Sequence, residues 1–145
     1  MAENLYTNSM ASILVVEDNR SLYILLRELL ESRGHTVTTA ENGSDGAACV
    51  KKQTFDIVIT DIVMPHKSGI ELIREIRSRN KQQTKIIAIS GGYPQYVQSH
   101  LETARIAGAN ILLPKPFTNK QLIAAVEKAA KETAAEKSQT EAQSG

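Results

Sequence analysis

Five side chains that could take part in phosphate or metal-ion chemistry stand at the ends of short aliphatic runs: Glu17, Asp18, Asp61, Ser90 and Lys115. Such runs, rich in isoleucine, valine and leucine, are typical of strands buried on both faces of a sheet. The carboxyl ends of parallel strands share one edge of a sheet, and ligands bind in the crevice there. The sequence therefore predicts that three carboxylates, a hydroxyl and an ammonium meet at one edge.

Three carboxylates at one edge require a compensating charge. Two carboxylates about 5 Å apart repel each other by about 3 kcal/mol at an effective dielectric constant of about 20. With a third carboxylate, either the pKa of one of the three rises or the site binds a cation. Oxygen ligands suit a hard divalent ion, and Mg²⁺ or Mn²⁺ suits a site that also holds phosphate and water. With Lys115 as a further cation, the set predicts phosphoryl transfer to a carboxylate, which depends on positioning and charge neutralisation.

The elements that must position these residues alternate along the chain. The clearest predicted helix places apolar residues at i, i+3, i+4, i+7 and i+8 on one face: Leu22, Leu25, Leu26, Leu29 and Leu30. Capping-box pairs mark the start of two later helices, Ser68 with Glu71 and Thr118 with Gln121. Five strand–helix units in alternation predict an α/β protein with a doubly wound parallel sheet and right-handed crossovers.

Two strand orders fit this alternation, a flavodoxin-like 2-1-3-4-5 sheet and a dinucleotide-binding half-fold. Pro114 lies in the fifth strand, where it removes one hydrogen-bond donor from the strand ladder. That loss is tolerated in an edge strand. The flavodoxin-like order, which puts the fifth strand at the edge, is therefore favoured.

Composition bounds the remaining possibilities. The chain has 145 residues, 41% of them hydrophobic and 23% charged, which predicts one globular domain. A net charge of +1 gives no electrostatic reason to expect nucleic-acid or membrane binding. One cysteine, no long apolar run and no signal-peptide pattern predict a cytoplasmic protein. Residues 1–11 are predicted to form a disordered leader, 12–131 the domain, and 132–145 the end of the last helix and a disordered tail.

Four segments that carry these residues resemble the successive signature segments of response-regulator receiver domains: ILVVEDN, ITDIVMPHKSGIEL, IIAISGG and ILLPKPF. The resemblance spans about residues 12–131 and is closest in kind to single-domain regulators of the chemotaxis type. It implies a two-component or phosphorelay switch in which Asp61 accepts a phosphoryl group. The donor would be a sensor histidine kinase, a phosphotransfer protein or a small phosphodonor.

The resemblance also implies a role for each residue around Asp61. Asp18 would bind Mg²⁺ directly, with Glu17 nearby, and the backbone carbonyl of Val63 would be the third ligand from the protein. Ser90 and Lys115 would contact the phosphoryl group. The peptide bond that follows the lysine, to Pro116, is one that the family commonly makes cis.

Two features depart from the family pattern. Leu112 stands where the switch aromatic usually lies, so the movement of this residue would be read differently by a partner. Neither Val63 nor Gly92 has a side chain that could orient an attacking water, which predicts slow self-dephosphorylation. The output partner is not legible from the sequence. Residues 94–130 are expected to form its surface, and that of a phosphorylation-dependent homodimer.

Several competing interpretations remain open at this point. A phosphorylation-independent scaffold would have the same fold. A phosphohydrolase with an aspartyl-phosphate intermediate typically needs a second acid two residues after its nucleophile, where this chain has Val63. A flavin-binding protein would need a phosphate loop after the first strand. Asp18 or Asn19 could simply cap the first helix, and Cys49 is expected to serve packing. The three histidines show no metal-ligand spacing: His35, His66 and His100.

Overall fold

The computed structural model describes residues 10–64, 66–80, 83–91 and 94–144, and it consists of five strands alternating with five helices. The strands are β1 (Ser12–Val16), β2 (Thr36–Ala40), β3 (Ile57–Asp61), β4 (Lys85–Ser90) and β5 (Ile111–Pro114). The helices are α1 (Arg20–Ser32), α2 (Gly43–Lys52), α3 (Gly69–Asn80), α4 (Pro94–Ala107) and α5 (Asn119–Ser144). All neighbouring strands pair in parallel in the order β2-β1-β3-β4-β5. The predicted flavodoxin-like fold is confirmed.

The caps of the helices explain where the connections turn. The Asn19 side chain accepts a hydrogen bond from the Leu22 N–H at 3.0 Å and caps α1. Thr118 and Gln121 form the predicted capping box, in which each side chain accepts the backbone N–H of the other, at 3.0 and 2.8 Å. Because Asn19 caps α1, the carboxylate of Asp18 is left available to the edge of the sheet where the strands end.

The sheet is covered on both faces by apolar side chains. On one face, β1, β3 and β4 pack against α1 and α5, with Leu26, Leu30 and Leu122 fully buried. On the other face the same strands pack against α2, α3 and α4. The buried apolar face of α1 is narrower than the sequence predicted, since Leu25 is 48% exposed. Leu25 lies at the edge of that face, next to the connection between β5 and α5 rather than over the sheet.

Both chain ends differ from the predicted boundaries, because Ala11 belongs to the folded domain and α5 is longer than predicted. Residues 1–9 lie outside the described residues, so the disordered leader stays a prediction, and Ala11 is buried with its carbonyl accepting the Thr36 N–H at 3.0 Å. At the other end α5 continues to Ser144, where a disordered tail was predicted from about residue 132. Alanine and glutamate are strong helix formers, and tertiary contacts hold the extension, because Thr133 is buried and Glu136 pairs with Lys85.

The pair of Lys85 and Glu136 carries a prediction about stability. The Lys85 side chain is only 6% exposed, so Glu136→Gln leaves a buried ammonium without this carboxylate. Loss of the partner of a buried charged donor costs about 1–3 kcal/mol, and we expect the free energy of unfolding in urea to fall by that amount. The control is Glu127→Gln, which breaks an exposed pair with Arg33 and should cost less than about 1 kcal/mol. Equal losses from the two variants would contradict the prediction.

Candidate functional site

Three carboxylates converge where β1 and β3 end. The register pairs Val16 with Thr60, so the residues that follow in each strand lie side by side. Glu17, Asp18 and Asp61 each offer one carboxylate oxygen, and these oxygens all lie within 4.8 Å of one another. Glu17 and Asp61 are buried, whereas Asp18 is exposed. The predicted convergence of the three acids is therefore present in the structure.

Lys115 bridges the two buried acids. Its ammonium Nζ donates a hydrogen bond to Asp61 Oδ2 at 2.9 Å and lies 3.0 Å from Glu17 Oε1. Burial by itself would lower the pKa of Lys115, but the hydrogen bonds and charges of the two carboxylates outweigh it and raise that pKa. The lysine is therefore cationic at neutral pH.

Glu17 is the least compensated of the three acids. Its Oε2 accepts the Asn19 N–H at 3.0 Å. Its Oε1 is buried and, within the described residues, has no hydrogen-bond donor in good geometry beside the ion pair with Lys115. Burial, together with the neighbouring charge of Asp61, raises the pKa of Glu17 to about 7, against the lowering effects of Asn19 and Lys115. One lysine does not satisfy both buried carboxylates.

Two further polar groups, the Val63 N–H and the Ser90 hydroxyl, belong to segments that adjoin Asp61. The Val63 N–H donates to Asp61 Oδ1 at 3.3 Å. Ser90 ends β4, which pairs with β3, and its hydroxyl oxygen is buried with no hydrogen-bond partner among the residues that the structure describes. The peptide bond between Lys115 and Pro116 is cis, as the resemblance implied.

Gly91 shapes the approach of the lysine. A Cβ added at Gly91 would lie 2.8 Å from Lys115 Cδ and 3.2 Å from its Cβ. The bare backbone after Ser90 therefore gives the aliphatic stem of Lys115 the room to reach the two carboxylates.

This donor set fits a hard divalent cation. The three acids each offer a carboxylate oxygen, and one of these atoms, Glu17 Oε1, is buried without a hydrogen-bond donor in good geometry among the described residues. Such an atom is satisfied by a cation. The free Ser90 hydroxyl, in turn, requires an acceptor, and a phosphoryl oxygen would supply one.

The other residues singled out in the sequence have the following places in the structure. Leu112 is half-buried in β5, opposite Ala88, and packs on the face covered by α2, α3 and α4. The side chain of Val63 is 58% exposed, and Gly92 lies outside the described residues. Cys49 is half-buried in the apolar layer, as its packing role predicted.

The histidines take no part in the crevice. His35 accepts the Ala11 N–H through Nδ1 at 3.1 Å at the opposite edge of the sheet. Burial, helped by the charge of Arg33, lowers the pKa of His35. His66 has a positive φ of 69° in the connection between β3 and α3, and the ring of His100 lies 6.3 Å from that of Tyr96 on α4.

The fold and the site define a known class of protein. Residues 13–127 match the family described as the response regulator receiver domain. The match covers most of the chain, and the protein belongs to this family. The resemblance that was identified in the four signature segments is thereby confirmed.

Relatives of established name are regulators. The chain is 33% identical over 117 residues to the transcriptional regulatory protein CpxR of Klebsiella pneumoniae subsp. pneumoniae (strain HS11286), which covers 81% of this chain and 48% of CpxR. It is 38% identical over 124 residues to the DNA-binding transcriptional regulator NtrC of Azospirillum brasilense, covering 83% of this chain and 24% of NtrC. The chain thus spans about half the length of one relative and about a quarter of the other.

Solved structures agree with the fold. A response regulator receiver domain protein from Clostridium thermocellum superposes with a TM-score of 0.79 at 29% identity, covering 87% of this chain and 98% of that one. The chemotaxis response regulator CheY4 of Vibrio cholerae gives a TM-score of 0.74 at 26% identity, covering 83% and 98%. Among the helices of the described residues, none combines the length and apolarity needed to span a bilayer.

Glu17 makes the stability of the metal-free protein depend on pH. Its pKa rises from 4.5 to about 7 on folding, so the folded state holds a proton that the unfolded chain releases. The corresponding stability is fully present below about pH 4.5 and is lost as the pH rises through about 7. In EDTA, the free energy of unfolding should therefore fall from about pH 5 to about pH 8.

Glu17→Gln should flatten that fall, because glutamine does not titrate. The matched control is Glu28→Gln, an exposed position on α1, which should leave the pH profile of the parent unchanged. A parent protein whose stability is constant over this range, or a Glu17→Gln variant with the parent's slope, would contradict the prediction.

Proposed function

We propose that Asp61 is the phosphoacceptor of a two-component or phosphorelay switch, in a reaction that depends on Mg²⁺ or Mn²⁺. The observation that supports it most directly is the contact of Lys115 Nζ with Asp61 Oδ2 at 2.9 Å inside a cluster of three acids. A lysine that only stabilised the fold would pair with one carboxylate and neutralise it. Here it is shared between Asp61 and Glu17, and the cluster still carries excess negative charge.

The chain's own residues account for the transfer step. A carboxylate oxygen of Asp61 attacks the phosphorus of a phosphohistidine, the new P–O bond forms, and the P–N bond breaks with its electron pair going to the imidazole. Val63 N–H orients the carboxylate through Oδ1. After transfer, Lys115 and the Ser90 hydroxyl would contact the phosphoryl oxygens. Both donors are fixed before the reaction, which is how positioned charge lowers such a barrier.

A divalent ion would be held by the acids at the ends of β1 and β3. Asp18 and Asp61 would bind it directly with the backbone carbonyl of Val63, and Glu17 would act beside them. When bound, the ion would neutralise charge on the transferring phosphoryl group. No general base is required, because the nucleophile is already an anion.

Phosphorylation is tested with acetyl phosphate and Mg²⁺ on the intact chain. We expect one phosphoryl group per protein by mass spectrometry, mapped to Asp61, and none on Asp61→Asn, whose amide is not a nucleophile of this kind. Asp45→Asn, at an exposed position of α2, is the control and should be labelled like the parent. EDTA should abolish labelling.

The same experiment separates the competing functions. An unlabelled parent protein would favour a phosphorylation-independent scaffold. Repeated turnover of phosphate monoesters would indicate a phosphohydrolase. Slow loss of the label would support a switch. We expect slow loss because the apolar side chain of Val63 cannot orient an attacking water.

We further propose that the phosphodonor protein docks on an apolar groove beside the site. The groove has a volume of about 460 Å³ and lies between α1 and the connection from β5 to α5. The residues that line it include Leu22, Leu25, Phe117 and Lys115. A donor histidine must come within bonding distance of Asp61, so a partner seated here lies next to the nucleophile. Leu25 is 48% exposed, as a docking residue must be.

Leu25→Asp should therefore slow transfer from a protein donor but not from a small one. The probe is a purified phosphotransfer domain carrying phosphohistidine, chosen from the organism's own set as the one that phosphorylates the parent fastest. We expect at least a tenfold loss with that donor, about the effect of one disrupted apolar anchor. The control Ile106→Asp changes an exposed residue of α4 on the opposite face. Equal transfer rates for parent and Leu25→Asp would contradict docking in the groove.

We also propose a surface for the output partner. The surface of α4, β5 and α5, within residues 94–130, carries the exposed side chains of Tyr96 and Ile106. Leu112 of β5 pairs with Ala88 of β4, the strand that ends at Ser90, so its inward movement would report phosphorylation through packing rather than through an aromatic hydroxyl. Partner binding or a phosphorylation-dependent homodimer would use this face.

A further inference from the structure

Thr60 is a fully buried polar residue in a strand that is otherwise aliphatic up to Asp61. Its hydroxyl donates a hydrogen bond to the backbone carbonyl of Asp61 at 2.9 Å. The bond therefore reaches forward along the chain to the peptide unit that carries the nucleophile. Valine or isoleucine would fill the same space in β3 without making this contact.

The Asp61 carbonyl is confined from a second direction by Gly69. A Cβ added at Gly69 would lie 2.0 Å from that carbonyl oxygen and 2.8 Å from Ile62 Cα, so only glycine fits there. The N–H of the same peptide unit is held as well, since the Ile62 N–H donates to the Ile89 carbonyl at 3.0 Å. The next peptide unit is held through the Ile62 carbonyl, which accepts the Gly69 N–H at 2.9 Å.

The orientation of this backbone sets the direction of the Asp61 carboxylate and of the Val63 N–H. The Asp61 side chain leaves the chain at the start of the confined segment, and the Val63 N–H that contacts Asp61 Oδ1 follows directly after it. The Lys115 ammonium approaches Asp61 Oδ2 from the connection that follows β5, two strands away from β3. A small rotation of the peptide after Asp61 changes both contacts, since each depends on the direction of the same carboxylate.

We propose that Thr60 is a positioning residue for phosphoryl transfer, whose hydroxyl fixes the backbone of Asp61 so that its carboxylate meets Lys115 and the Val63 N–H. The inference rests on the proposed function, because it concerns the rate of the same reaction. Thr60 does not touch the phosphoryl group and acts only through Asp61. A misplacement of reacting atoms by about 1 Å costs about a hundredfold in rate, and loss of one of several constraints should cost about tenfold.

The fold supplies a matched control at the other end of the sheet. Thr84 is also buried, and its hydroxyl donates to the Phe55 carbonyl at 2.8 Å. Both threonines satisfy a backbone carbonyl in the interior, but Thr84 lies away from the crevice. If a threonine hydroxyl at such a position only stabilises the fold, the two residues should behave alike when the hydroxyl is removed.

The test compares Thr60→Ala with Thr60→Ser, two variants that share the loss of the methyl group and differ only in the hydroxyl. Thr84→Ala and Thr84→Ser form the control pair. For each protein we would measure the rate of Asp61 phosphorylation by acetyl phosphate with Mg²⁺ in excess, and the midpoint of urea unfolding. Rates are compared well below that midpoint, so that every variant is folded.

We expect Thr60→Ala to be phosphorylated about tenfold more slowly than Thr60→Ser, and Thr60→Ser to be close to the parent. The Thr84 pair should show equal rates, although Thr84→Ala should unfold at lower urea than Thr84→Ser. Equal rates for Thr60→Ala and Thr60→Ser would overturn the inference, as would an equal rate loss in the Thr84 pair. A parent protein without label on Asp61 would instead refute the proposed function, so the two failures are distinguishable.

Discussion

The contact of one ammonium with two buried carboxylates is the interaction on which the site depends. Glu17 and Asp61 stand side by side because β1 and β3 are neighbours in register. Burial makes their mutual repulsion costly, since charges interact more strongly away from water. Lys115 relieves part of this cost, but burial and the charge of Asp61 still hold the pKa of Glu17 at about 7. The metal affinity and the reactivity that we propose would both follow from this imbalance.

The parallel sheet is what makes the imbalance possible. Between their first residues and the polar residues at their carboxyl ends, the central strands β1, β3 and β4 are aliphatic on both faces, apart from Thr60 in β3. The order β2-β1-β3-β4-β5 then brings the ends of β1, β3 and β4 together and puts the lysine after β5 within reach. A different strand order would separate Glu17 from Asp61, and the same residues would have no common chemistry.

Much of this could be predicted from the sequence because it depends on local patterns. Aliphatic runs, capping residues and the placement of acids at strand ends predicted the fold and brought Asp18, Asp61 and Lys115 to one edge. What could not be predicted depends on neighbours distant in sequence. Leu25 matched the helix stripe but lies over a connection rather than over the sheet. Thr60 looked like an ordinary strand residue, although a lone hydroxyl in an aliphatic run was a signal that could have been noticed.

The contacts of α5 with the sheet extend beyond the region that matches the family. The region shared with the family ends at residue 127, but the carboxylate that accompanies the buried Lys85 belongs to Glu136. Lys85 begins β4, and the same strand ends at Ser90 in the crevice. The region that matches the family is therefore shorter than the part of the chain that contacts its strands. In this protein, a segment beyond the matched region pairs with the first residue of a strand that reaches the site.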